Sequence, residues 1–372
     1  MFANEHAGGG LTRLDAFVWS MQDAREGLEG LSEYVQRAPH EPVTVETLIA
    51  DGVPPLETLA GLVPDAEARE SGLVASLKIE HSDGPFVISA WPTAFAGVFH
   101  LVGSLPSTDA RWQKVERLIG RATPRLVPCF LDHGDFADLG TALSEYGDVE
   151  VSRLTARRRA DISSLTRGWQ QRSGVARPSH LQAINDAEAE GASVRTLTLH
   201  VGSQEAAVLN VHLRRMAGAT FYGGDFSVFA RVVLSRLATA ASRRATLLTG
   251  RQRAVREPLR APIAIRLPGA SLVDAEATGD LVQEVARQST VSVAVLHRNP
   301  YLHMVVTDYT DGSNFDVIVA TADSIQVFPG FRASLGALAR LSQRLGERFG
   351  AVEIVEAARE PSISLEDLVA NI

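Results

Sequence analysis

Arginine supplies nearly all the cationic chemistry open to this chain. Of 36 basic residues, 34 are arginine, and the two lysines are Lys78 and Lys114. A planar guanidinium reaches two oxygens of a phosphate or carboxylate at once, so clustered arginines point to an anionic partner. The stretch VSRLTARRRADISSLTRGWQQRSGVARPSH, 151–180, holds Arg153, Arg157, Arg158, Arg159, Arg167, Arg172 and Arg177 against a single acid, Asp161. Arg214 and Arg215 end a strand, Arg243 and Arg244 end a helix, and Arg251, Arg253, Arg256 and Arg260 follow in a connecting segment. Binding a phosphate backbone requires such groups to converge on one surface. The set expected to contact nucleic acid or a partner is Arg157, Arg158, Arg159, Arg167, Arg172, Arg177, Arg214, Arg215, Arg251, Arg253 and Arg256. Arg243 and Arg244 also suit a helix C-terminus, where cations oppose the macrodipole.

A second chemistry is offered by LDHGDFAD, with Asp132, His133, Asp135 and Asp138 just after a strand. Carboxylates at a strand end are the raw material of a metal-dependent hydrolase or nuclease. The same residues also read as a turn at His133 and Gly134 followed by an Asp135 N-cap, and no usual metal spacing is present. Pairing two strands across Arg298, Asn299 and Pro300 aligns 297 with 301 and 295 with 303. His297 and His303 then become diagonal neighbours, but Val291, Val293, Val295, Tyr301, Val305 and Thr307 offer them no third ligand. His200 and His212 read likewise as half-buried strand histidines. Cys129, in RLVPCFLD, reads as a buried thiol. There is no phosphate loop, dinucleotide glycine pattern, HExxH, GxSxG or CxxC pair. No catalytic residue, metal or cofactor is assigned, and a non-catalytic protein is the expectation.

The elements that must position these residues are bounded by composition. At 372 residues and 45% hydrophobic, the chain exceeds one core and can bury several. No run approaches the roughly 18 to 20 apolar residues of a membrane span, and MFANEHAGGGLTRLD lacks a secretory leader. With one cysteine no internal disulfide can form, and the expectation is a cytoplasmic protein with no membrane contact. The abundance of arginine and alanine fits a GC-rich bacterial genome.

Net charge is −8, but it is unevenly spread. Residues 1–150 carry 10 basic and 23 acidic residues, 151–266 carry 19 and 7, and 267–372 carry 7 and 14. The basic middle either meets an external polyanion or neutralises the chain's own acidic flanks or those of another copy.

The C-terminal third reads as PIAIRL (strand), DAEATGDLVQEVARQ (helix), strands VSVAVLH, YLHMVVTD, FDVIVAT and SIQVF, and a closing helix over 331–350. The order β-α-β-β-β-β-α recurs over 125–244. There RLVPCFLD, DVEVSRLTA, VRTLTLHV, AAVLNVHL and GATFYGG are the strands, and 135–147 and 225–244 the helices. A partial copy precedes it, from PVTVETL and PLETLAGL to the helix 107–122. Where the last copy connects its second and third strands by three residues, the middle copy inserts 157–193. The pattern predicts a helix in DISSLTRGWQQRSG, with Ile162, Leu165 and Trp169 on one stripe. It predicts another in SHLQAINDAEAEG, capped by Ser179 and Gln182.

This element order resembles one half of the TATA-binding-protein fold. The resemblance implies tandem units forming continuous curved antiparallel sheets covered by helices on one side, and it implies no functional residue. The expectation is thus an α+β protein. It comprises an N-terminal helical segment (1–40), a partial α+β unit (41–124), a basic α+β unit (125–250), a C-terminal α+β unit (261–350) and a tail (351–372). The tail stretch SISLEDLVANI reads as a short helix packing on its own body. Function is expected to be binding or scaffolding. The partner is the backbone of a nucleic acid or an acidic protein, with room for a homo-oligomer.

Overall fold

The computed structural model describes residues 11–20, 27–37, 41–50, 54–63, 66–71, 74–122, 125–158, 164–169, 177–203, 207–248, 262–267, 272, 274–298, 301–330, 333–349 and 353–356. It divides into two units, Met1–Thr246 with Gly346–Ala351 and Leu247–Leu345 with Val352–Ile372. Mixed helix and antiparallel sheet, read from the changing period of the sequence, is what both units contain.

In the first unit α1 (Arg13–Ser20) and α2 (Gly27–Arg37) precede β1 (Val43–Ala50), α3 (Pro55–Ala60), β2 (Glu67–Ser71), β3 (Val74–Ile79), β4 (Phe86–Pro92), β5 (Val98–Gly103) and α4 (Ala110–Arg121). Then come β6 (Leu126–Pro128), α5 (His133–Leu143), β7 (Asp148–Arg158), β8 (Ser164–Gly168), α6 (His180–Ala189), β9 (Ala192–Gly202), β10 (Ala207–Arg214) and β11 (Gly218–Gly224). A closing helix runs through α7 (Phe226–Val228), a π-helical stretch over Phe229–Leu234, and α8 (Ser235–Leu248). The strands form one antiparallel sheet in the order β2-β3-β4-β5-β1-β11-β10-β9-β7-β8, with β6 also against β1. The partial and basic units of the sequence therefore share a single sheet.

Alternation along each strand sorts that sheet into rows. Val43, Phe221, Val211, Leu199 and Val151 are mutual partners across β1, β11, β10, β9 and β7, and all are buried. Phe221 meets Phe226 and Phe229, with ring centroids 5.2 and 5.5 Å away, so the closing helix covers this face. On the opposite face of β1, Leu48 joins Leu101, Ile88 and Leu77 in the core that Trp112, Val115, Leu118 and Ile119 of α4 seal. A Cβ on Gly103 would stand 2.8 Å from the Trp112 ring, so a glycine lets α4 lie this close. Every residue of β1 is buried because helices press on it from both sides.

Two expectations are corrected here. Helices do not cover the sheet on one side: α4 and the closing helix lie on opposite faces, so the one-sided cover implied by the TATA-binding-protein resemblance is absent. Nor does 161–174 form a helix over its described part. Ser164–Gly168 is β8, with Leu165 opposite Ala156 and Thr166 opposite Thr155. The free edge of β7 offers hydrogen-bond partners that outweigh a helical stripe of three apolar residues. The second helix of the insertion does form, as α6, and Ser179 Oγ accepts from the Gln182 N–H at 3.2 Å.

The second unit contains β12 (Ile263–Arg266), α9 (Ala275–Ala286), β13 (Val291–His297), β14 (His303–Asp308), β15 (Ser313–Thr321), β16 (Ser324–Pro329), α10 (Leu335–Phe349) and β17 (Glu353–Glu356). Its sheet runs β13-β14-β15-β16-β12-β17. Met304, Val317, Val327 and Ile263 make a buried row, and Leu281 and Val285 of α9 and Leu338 and Leu345 of α10 are buried in the same unit. Asp274 caps α9 through the Ala277 N–H at 2.7 Å, as a helix beginning DAEAT should. The β-α-β-β-β-β-α order is as the sequence reads, and β12 lies beside β16 as β1 lies beside β5. The strand β17, added on the far side of β12, has no signal in the sequence.

Candidate functional site: the polar face of the first sheet

The rows between the apolar ones carry the chemistry. Thr44, Thr220, His212, Thr198 and Arg153 are mutual partners across β1, β11, β10, β9 and β7. Next to them run Glu46, Gly218, Arg214, Thr196, Thr155 and Thr166, reaching β8. Both rows are laced by hydrogen bonds: Thr44 to Thr220 at 3.1 Å, Thr198 to His212 at 2.9 Å and Thr155 to Thr196 at 2.7 Å. His200 and Asn210 pair at 2.6 Å on the same face. The surface grades from buried at Thr44 and Thr220 to exposed at Arg153 and Thr166. Tyr222, at the bulge of β11, is 49% exposed.

Arg214 closes the inner end of this face. Its guanidinium donates to Glu46 at 2.6 Å and to Glu116 of α4. Glu46 is buried, and loss of solvation pushes its carboxyl up to about 7 against the opposing pull of Arg214. Gly218 is required here, because a Cβ would come 2.5 Å from Arg214 and 2.7 Å from Glu46. Beside it, burial and then the charges of Arg214 and Arg153 hold His212 down to about 4, so its imidazole is neutral.

The remaining arginines of the expected set do not converge with these. Arg158 and Arg167 both reach Glu190 at the end of α6, on the other side of the sheet. Arg177 lies 3.9 Å from Glu150. Arg215 is buried and donates to Ser193, and desolvation brings it down to about 10. Arg157, on the same face of β7 as Thr155, is half-buried and lies 3.5 Å from Glu347. Arg159, Arg172, Arg251, Arg253, Arg256 and Arg260 lie outside the described residues, as does the tail 362–372.

The acidic cluster is built into the fold. Asp132, not Asp135, is the N-cap of α5: its carboxylate accepts from the Asp135 N–H at 2.8 Å, and Asp135 accepts from the Asp132 N–H at 3.0 Å. Arg244, stacked 4.6 Å over Phe130, donates to Asp132 at 3.1 Å and Asp135 at 2.5 Å, and Arg243 reaches Asp135 at 2.6 Å. Burial, then the Asp135 charge, pushes Asp132 up to about 6. Arg244 is held charged by Asp135 against its own burial. The His133 ring accepts from the Val194 N–H at 3.1 Å. Arg243 and Arg244 are thus ion-pair partners within a helix that continues to Leu248, rather than its C-terminal cations. Burial pushes the Cys129 thiol up to about 11, the inert state expected of it.

One histidine expectation also changes. A bulge at Leu296 sets His297 directly opposite His303 rather than diagonal to it. His303 bonds Asp316 at 2.9 Å, and His297 bonds the Tyr301 carbonyl at 3.1 Å. Among the described residues no three of His, Cys, Asp and Glu gather as a metal site would require. No described helix is long and apolar enough to cross a membrane. Neither a comparison with protein-family models nor one with curated protein sequences finds a match to the chain.

Proposed function

We propose that the chain is a non-catalytic binding or scaffold protein, and that the polar face over β11, β10, β9, β7 and β8 is its working surface, met by a protein partner. One observation carries this reading: of the expected arginines that the structure describes, Arg157, Arg158, Arg167, Arg177 and Arg214 are paired with the chain's own acids, while the accessible face is made largely of neutral donors and acceptors. Glu46, Glu116, Asp132, Asp135 and Glu150, all from the acidic first 150 residues, take up Arg214, Arg244, Arg243 and Arg177. Threonine, asparagine, neutral histidine and an exposed tyrosine suit the mixed donors and acceptors of a protein surface better than a row of phosphates. Arg153, exposed and in none of the ion pairs above, is a cation this face presents to an acidic group on the partner.

A second reading, contact with nucleic-acid backbone, is supported by Arg153 and by Tyr222, whose ring could stack on a base. Fluorescence anisotropy with duplex and single-stranded DNA and RNA at moderate salt separates the two. The protein-partner reading expects no binding. Binding that Arg153→Ala and Tyr222→Ala weaken would replace it with the nucleic-acid reading. A hydrolase centred on Asp132 to Asp138 draws no support from a cluster whose carboxylates serve a helix cap and two arginines.

A further inference from the structure

Among the described residues the two strand orders end on β2, β8, β13 and β17, and these four differ in how they are guarded. An exposed edge offers unpaired N–H and C=O groups to any other strand, and proteins blunt it with charge, brevity or bulges. β2 carries Glu67, Arg69 and Glu70, and the five-residue β8 carries Arg167. β17 is four residues long and carries Glu353 and Glu356. β13 has seven residues, Val-Ser-Val-Ala-Val-Leu-His, with no Asp, Glu, Lys or Arg among them. Its bulge falls at Leu296, near one end, and leaves Val291 to Val295 regularly paired with β14.

Exposed apolar groups gather at the same edge. Of the large hydrophobic residues exposed among the described ones, namely Phe95, Leu181, Tyr222, Leu296, Tyr301 and Tyr309, three stand at the two ends of β13. Tyr309 donates its N–H to Thr290 at 2.7 Å and its hydroxyl to Ser292 at 3.0 Å. Tyr301 stacks on His297 with centroids 5.0 Å apart. An unguarded strand flanked by exposed aromatics is a surface built to be covered.

We propose that β13 pairs antiparallel with β13 of a second copy, about a twofold axis through Val293. The occupant is argued from the strand itself. Val-Ser-Val-Ala-Val reads in the same large-small alternation from either end, so Val291 falls opposite Val295 of the other copy and Ser292 opposite Ala294. The valines then extend the row that faces the helices, and the small residues extend the open face, on both sides of the axis. With no charge on the strand, nothing in it repels its twin. The same register sets Leu296 of each copy opposite Thr290 of the other, beside Tyr309, so the exposed leucine and tyrosine cover one another twice.

Light scattering on the full chain tests this at about 50 µM, where an interface of micromolar Kd is mostly occupied. The mass expected is twice the 40.0 kDa of the chain. Ala294→Lys, at an exposed position, should return the mass to that of one chain with circular dichroism unchanged, and with the second unit melting as it does in the unaltered chain at low concentration. Adding Ser292→Glu should restore the doubled mass, since each glutamate would then face the other copy's lysine. A single-chain mass for the unaltered protein overturns the proposal. So does a doubled mass that Ala294→Lys leaves intact, or a double variant that stays at one chain.

Discussion

Asp15 shows how one carboxyl can set a pH dependence. It is buried, accepts from Ser104 Oγ at 2.7 Å, and its N–H donates to the Thr12 hydroxyl at 3.0 Å. Burial pushes it from 3.8 up to about 6, against the pull of the Ser104 and Thr12 hydroxyls and the Val87 backbone on the carboxyl. Because the folded state holds this proton more tightly than the unfolded one, its stabilising contribution is complete below pH 4. It fades as pH rises through 6, a change of about 3 kcal/mol. Asp15→Asn removes the ionisation, so its stability relative to the unaltered protein should rise between pH 4 and pH 7 in urea titrations. A constant difference across that range would refute the assignment. Asp135 poses the opposite case. Asp135→Ala leaves Arg244 buried with half its compensation and should cost about 3 to 5 kcal/mol. Adding Arg244→Met should recover part of that loss, and a double variant as unstable as the sum of two losses would count against the pair.

Among elements, α4 depends on the absence of a single methyl group. Gly103→Ala would drive a Cβ into the Trp112 ring and should destabilise by about 1 to 3 kcal/mol, read as a lower urea midpoint. Gly120→Ala, on the same helix with open space around it, makes the control and should cost nothing. The two cases also show what the sequence could reveal. Trp112, Val115 and Ile119 declare the inward stripe of α4 by spacing alone, and Ser179 declares the start of α6. Those signals lie within one element. That Gly103 is the floor under Trp112, or that Arg214 from β10 meets Glu46 from β1, depends on strand order, which no local pattern encodes. The same limit explains β8. Its alternation Ser-Leu-Thr-Arg-Gly is too short to outweigh a helical reading until β7 is known to present a free edge. It explains the arginines as well: their density and the acidic flanks that could neutralise them were legible, but which acid meets which arginine was not, because Glu46, Glu116 and Asp135 are distant in sequence from Arg214 and Arg244.

The whole molecule has two cores on two sheets, and that arrangement predicts how it melts. In the first unit Leu197 lies at the centre of a buried row between Leu213 and Leu154. In the second, Val317 lies between Met304 and Val327. Neither row continues into the other sheet, so a loss in one removes packing from its own unit. Leu197→Ala should cost about 2 to 5 kcal/mol and Val317→Ala somewhat less, since fewer methylene groups are removed. Calorimetry of the full chain should resolve two transitions, with Leu197→Ala lowering one by several degrees and Val317→Ala lowering the other. The dimer proposed for β13 adds a directional check, because an interface on the second sheet stabilises only the unit that bears it. Raising protein concentration should therefore lift the transition sensitive to Val317→Ala and leave the other in place. One cooperative transition that both substitutions shift equally would show instead that the two cores unfold as a single body.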